Sequence, residues 1–180
     1  MGRIGRMKRL GRDMRFVLVC LLAMHVGTGC VWGQMSDREG TSSMAMVNLP
    51  DPAPKGAVTL EESLGARRSV RAYSDAPLTL AQLSQLLWAA QGVTDKERGG
   101  RAAPSAGALY PLEIVVAAGH VEGLEPGIYR YRPAWHALER AAAGDRRGEL
   151  AAAALGQDWM ADAPVIVGIA GVYERTTRKY

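Results

Sequence analysis

Three arginines and a serine fall within five positions, at Arg67, Arg68, Ser69 and Arg71. A guanidinium presents a planar fork of donors that matches a phosphate or carboxylate in two-point geometry, and a neighbouring hydroxyl adds a further donor. Convergence of these groups on one anion would be worth about 1.5–3 kcal/mol for each charge-assisted bond. The same residues also suit a solvated helix end, where basic side chains offset the C-terminal dipole. Residue types alone leave both readings open. Other chemistries lack their motifs: there is no GxSxG, no HExxH, no P-loop or dinucleotide fingerprint and no metal-spaced cluster. His25, His120 and His136 are scattered and read as surface or loop residues rather than catalytic ones.

The elements around the arginines follow from capping and periodicity. Thr59 with Glu62 forms a capping-box pattern that starts a short helix running to about Arg67, so the basic cluster sits where helix gives way to extended chain. Thr79 with Gln82 repeats the device. Leu80, Leu83, Leu87 and Ala90 then share one helical face, and Gly92 suits a left-handed terminus. Residues 93–111 are rich in Gly, Pro and charge and read as a loop, followed by a mostly buried strand in "LEIVVAAG". "GIYRYRP" and "WHALERA" alternate around a Pro133 turn as a hairpin would. "DRRGELAAAALG" reads as a helix capped by Asp145, and "APVIVGIAGVY" as a central strand covered on both faces.

The net charge of +4 belongs to one end of the chain. Arg3, Arg6, Lys8, Arg9, Arg12 and Arg15 face only Asp13 within residues 1–34, which leaves the remainder slightly negative. Nucleic acid is therefore not an expected partner, and the aromatics are not interleaved with the basic cluster. The basic start, the apolar run Phe16–Val26 and the small residues after it read as an export signal over residues 1–33. Cleavage fits before Cys30, as in a lipid-attached protein, or after Gly33. Both cysteines, Cys20 and Cys30, lie in or beside this segment, so the exported body has no disulfide of its own. Residues 34–57 read as a flexible linker, and 58–180 as one small domain.

"ARRSVRAYSDAPLT", the amphipathic helix behind it and "APSAGALYPLEIVV" together resemble the nitroreductase-like flavoprotein superfamily, most nearly its SagB/ThcOx-type dehydrogenase branch, from about Leu60 to the end of the chain. The resemblance implies an α+β fold, a three-layer α/β/α sandwich with a mixed, mainly antiparallel sheet. It implies that Arg67, Ser69 and Arg71, with Arg68 between them, hold the phosphate and ribityl chain of FMN. It further implies that Pro104, Ser105, Ala106 and Gly107 lie against the flavin from the other side. Ala108 stands where many nitroreductases carry an asparagine, a departure that fits the SagB-like branch.

Function follows from the same resemblance: an FMN-dependent oxidoreductase, homodimeric when complete, passing a hydride or two electrons through the flavin. NAD(P)H would serve as reductant, and a nitroaromatic, a quinone or the azoline ring of a modified peptide as substrate. The family continues beyond the point where this chain ends, at "VYERTTRKY", so the sequence reads as the N-terminal part of a truncated domain. A non-catalytic envelope protein and a flavin-free phosphate- or anion-binding module are the alternative readings.

Overall fold

The computed structural model describes residues 45–180. The export signal, Cys20, Cys30 and most of the expected linker lie outside the described residues. The expected linker, residues 34–57, is interrupted in its middle, while residues 51–57 carry no helix or strand and are mostly exposed. Met46–Asn48 forms a strand, β1, and Leu49 after it is buried in the main core. The three residues pair with the hairpin strand at 137–139, so this segment gains ladder hydrogen bonds and apolar burial that its Pro- and Ser-rich surroundings do not announce.

The chain continues through α1 (Leu60–Ala66), α2 (Leu80–Gln91), β2 (Val93–Asp95), β3 (Gly100–Arg101), β4 (Leu112–Ala118), β5 (Gly127–Arg132), β6 (Ala137–Ala143), α3 (Arg147–Ala153), β7 (Val165–Gly171) and α4 (Glu174–Thr177). Five strands form one sheet in the order β1-β6-β5-β4-β7, every pair antiparallel, with a single parallel bridge between Leu78 and Val121. Alternation along β4 sends Ile114, Val116 and Ala118 to one face and Val115 and Ala117 to the other. On the first face Leu83 and Leu87 of α2 pack with Val116, Tyr129, Tyr131 and Leu138. On the second, Ala151, Ala154 and Met160 from α3 and the turn after it cover Ala117 and Ile166. The result is the three-layer α/β/α sandwich, with α2 and α3 on opposite sides of the sheet.

Several local expectations change. Both capping boxes form, at Thr59–Glu62 and Thr79–Gln82. Gly92, however, is extended (φ −62°, ψ 149°), not left-handed. Its requirement for glycine is steric, since a Cβ there would stand 2.3 Å from the Trp88 ring and 2.6 Å from the Trp88 carbonyl oxygen. The loop expected over 93–111 contains the small β2–β3 hairpin, closed where the Asp95 carboxylate accepts from the Glu97 and Arg98 amides and Gly99 takes a positive φ of 70°. Asp145 lies one residue before the helix boundary, yet still accepts from the Arg147 amide at 3.0 Å. Among the described residues β7 is an edge strand rather than a central one. Only its first half is covered, and Ile169 is 44% exposed.

Candidate functional site

The arginine segment leaves α1 in an extended, exposed path. Arg68 and Arg71 take different partners. Arg68 folds back, Nη1 donating to the Gly65 and Arg67 carbonyls at 3.0 and 2.7 Å, so it satisfies acceptors that the helix terminus leaves open. Arg71 lies over the Trp159 ring at 5.7 Å, and Tyr73 packs near the same ring at 6.4 Å. The Arg67 and Ser69 side chains make no hydrogen bond to other described residues, which leaves their donors available. Downstream the segment enters the sheet layer at Leu78, whose N–H donates to His120 O just past the end of β4.

The second stretch, Pro104–Pro111, feeds the other end of β4. Ser105 is extended (φ −145°, ψ 133°), and a single 3-10 turn follows over Ala106–Ala108. Gly107, Ala108 and Tyr110 all take left-handed φ values of 60°, 54° and 43°. Glycine adopts this region freely, whereas alanine and tyrosine store about 1–3 kcal/mol each. Ala108 thus holds the conformation that the asparagine of many resembling proteins tolerates well. Several contacts hold the loop in place. Ser105 Oγ accepts from the Tyr110 N–H at 2.9 Å, and its own proton remains free to donate. Arg175 Nη1 donates to the Tyr110 carbonyl at 2.8 Å while the same guanidinium pairs with Glu113. A Cβ on Gly107 would meet Tyr180 Oη at 2.7 Å and Lys179 Nζ at 2.8 Å, so both side chains border the loop.

The two predicted clusters therefore sit at opposite ends of β4, a seven-residue strand spanning about 20 Å. One chain does not bring them together.

Beside the Pro–Ser loop lies a cavity of about 430 Å³ whose lining includes Gln91, Arg101, Tyr110, Arg132, Trp135 and Arg175. Arg101 stacks on the Tyr110 ring at 4.4 Å, and its Nη1 donates to Gln91 Oε1 at 3.3 Å. Gln91 is 4% exposed, a core-side position of α2 given to a polar group. Arg132 pairs with Glu139, whose carboxyl is held below its ordinary value chiefly by that hydrogen bond.

Trp135 projects from the β5–β6 turn, where His136 takes a left-handed φ of 45°. The imidazole is gripped from both sides. Nδ1 lies 2.8 Å from Tyr131 Oη, and Nε2 lies 2.7 Å from Ser84 Oγ and 3.1 Å from Pro50 O. Ser84 Oγ also donates to Pro50 O. All groups are satisfied when the imidazole proton is on Nε2, so that Tyr131 donates to Nδ1, Nε2–H to Ser84 and Ser84 to Pro50. Burial pushes the Tyr131 hydroxyl up to about 12 and keeps it a donor. His136 is thus an anchor of the turn rather than a solvated loop residue. Its partners lie 5, 52 and 86 residues away, so no spacing pattern reveals them.

A sequence profile described as the Nitroreductase family matches residues 64–180, which include both clusters. A protein of Methanocaldococcus jannaschii that carries the name of a nitroreductase is 50% identical over 134 residues, 74% of this chain and 66% of its own length. Two solved structures named for nitroreductases share the fold. The one from Ralstonia eutropha has a TM-score of 0.63 at 35% identity, over 78% of this chain and 61% of that one. The one from Anabaena variabilis has a TM-score of 0.62 at 26% identity, over 77% of this chain and 29% of that one. The chain spans just under two thirds of the length of the curated relative.

Proposed function

We propose that this chain, which belongs to the nitroreductase family, builds an FMN-dependent oxidoreductase of the SagB/ThcOx-type branch, acting as an exported homodimer on a small molecule or a modified peptide. The observation that carries this reading is the Pro–Ser loop, whose strained backbone is fixed by Ser105, Arg101 and Arg175 before any ligand arrives. A loop held rigid in this way can present its backbone to a flat ring without further ordering. FMN also fits the free donors of Arg67 and Ser69, with Arg71 nearby. The opposite placement of the two clusters favours a two-fold assembly in which each flavin takes its phosphate grip from one copy and its ring-facing loop from the other.

Bound FMN would supply the two-electron chemistry between NAD(P)H or another reduced donor and the acceptor, while the protein supplies position and electrostatics. Arg67 and Arg71 bind and neutralise the phosphate, and Ser69 adds a neutral donor. Ser105 offers its free hydroxyl proton at the loop. No described residue is assigned as general acid or base.

Titration of the purified protein with FMN and with riboflavin tests the reading. Arg67→Ala and Arg71→Ala should each weaken FMN about tenfold to a hundredfold, from the loss of about 1.5–3 kcal/mol in charge-assisted bonding. Arg71→Lys should be milder, and riboflavin, which lacks the phosphate, should bind all variants alike. A colourless protein without flavin affinity, or equal effects on FMN and riboflavin, returns the cluster to a solvated helix end.

A further inference from the structure

We propose that the cavity between the Pro–Ser loop and the Trp135 turn binds a small planar monoanion, an unsaturated or aromatic carboxylate, with Arg101 as its recognition residue. The charge on the walls sets the valence. Arg132 is neutralised by Glu139 and Arg175 by Glu113, whereas Arg101 pairs with no carboxylate among the described residues. Three guanidiniums against two carboxylates leave a single positive charge, which suits one carboxylate better than a phosphate dianion.

Arg101 is also prepared for the task. Its backbone N–H donates to Tyr110 Oη at 3.3 Å, its guanidinium lies over the same ring at 4.4 Å, and one donor is held by the buried Gln91 amide oxygen at 3.3 Å. The remaining donors of a guanidinium ordered in this way can meet both oxygens of a carboxylate with little further loss of side-chain freedom. The shape of the ligand follows from the rest of the lining. Tyr110 and Trp135 offer aromatic surface, and the cavity, at about 430 Å³, is at the small end of ligand sites and suited to a single ring. Trp135 is 69% exposed, yet it is carried on a turn fixed by His136 rather than on a frayed loop. An exposed indole carried on an anchored turn, in the lining of the same cavity as an unpaired cation, offers a stacking surface to a flat partner.

The inference rests on the oxidoreductase reading only in naming the class of compound brought to the flavin; acid binding itself needs no flavin. Calorimetric titration of the full chain with 2-furoate and with 2-furamide, its neutral amide, tests it. The wild type should prefer furoate by tenfold or more. Arg101→Gln should abolish the preference, Arg101→Lys should retain part of it, and Trp135→Ala should weaken both compounds together. Arg146→Gln, on the opposite face of the sheet, should change neither. Equal affinity for furoate and furamide in the wild type overturns the proposal, as does a preference that survives in folded Arg101→Gln. Should that variant not fold, the wild-type comparison and Arg101→Lys still decide. FMN absorbance measured on the same samples separates the two readings, since loss of flavin binding with the furoate preference intact overturns only the flavin assignment.

Discussion

Replacing Ser84 with alanine removes the middle of the chain that runs from Tyr131 through His136 to the Pro50 carbonyl. Two hydrogen bonds disappear, but Nε2 of His136 already stands 3.1 Å from Pro50 O and can donate there directly. One bond is therefore lost on balance, at a cost of about 1 kcal/mol. His136→Ala is harsher. It leaves the Tyr131 hydroxyl, in a residue only 1% exposed, with no acceptor, empties the space of the ring and keeps an alanine at a left-handed φ. A stranded buried hydroxyl costs about 1–3 kcal/mol by itself, so the total should reach about 3 kcal/mol. Because Ser84 keeps its bond to Pro50 when the ring is gone, its removal then costs the same single bond as in the wild type, and the double variant should come close to the sum. Urea unfolding followed by circular dichroism, evaluated as a double-mutant cycle, measures all three values. The reasoning is refuted if Ser84→Ala costs more than His136→Ala, or if the double variant departs from the sum by about 1 kcal/mol or more.

Two further outcomes are expected. Tyr131 has a folded-state pKa of about 12, above its ordinary value, so its contribution is complete below about pH 10 and is lost as pH rises towards 12. Stability should drop by about 1–2 kcal/mol across that window after allowance for solvent screening, and the Tyr131→Phe variant should show a smaller alkaline drop in the same melts; an unchanged drop would assign it elsewhere. If residues 1–33 direct export, mass spectrometry of protein from the source cell should show the chain starting at Cys30 with added lipid mass or after Gly33, and an intact N-terminus in the cytosol would remove that reading.

What the sequence revealed depended on how local the cause was. Both capping boxes, the α2 stripe and the β5–β6 hairpin rest on residues within a few positions of one another, and each appears where expected. The pairing of Met46–Asn48 with β6, the anchoring of His136 and the stacking of Arg101 on Tyr110 depend on partners that only the folded sheet brings close. The arginine cluster shows the limit most directly. Its residue types left a convergent grip and a solvated helix end both open, and the partners that Arg68 and Arg71 take, the end of α1 and Trp159, come from the fold. Ser84 and Gln91 fall on the buried face of α2, where the apolar period gives no reason to expect a polar side chain. Each is explained by what it holds, Pro50 with His136 in one case and Arg101 in the other.

The pairing of β1 with β6 also has a kinetic side. Met46 and Glu139 are roughly ninety residues apart in the chain, so closing that loop costs more entropy than forming the neighbouring β5–β6 hairpin, whose strands are joined by a short turn. The hairpin should form early and present a finished edge, and the N-terminal strand should arrive last, clipped down when Pro50 meets Ser84 and His136. A strand that docks last by three residues is also the first to come away. The amides of 46–49 should then exchange with solvent through a local opening far cheaper than global unfolding, and a protease that cuts there would read the strength of that clip rather than the stability of the domain.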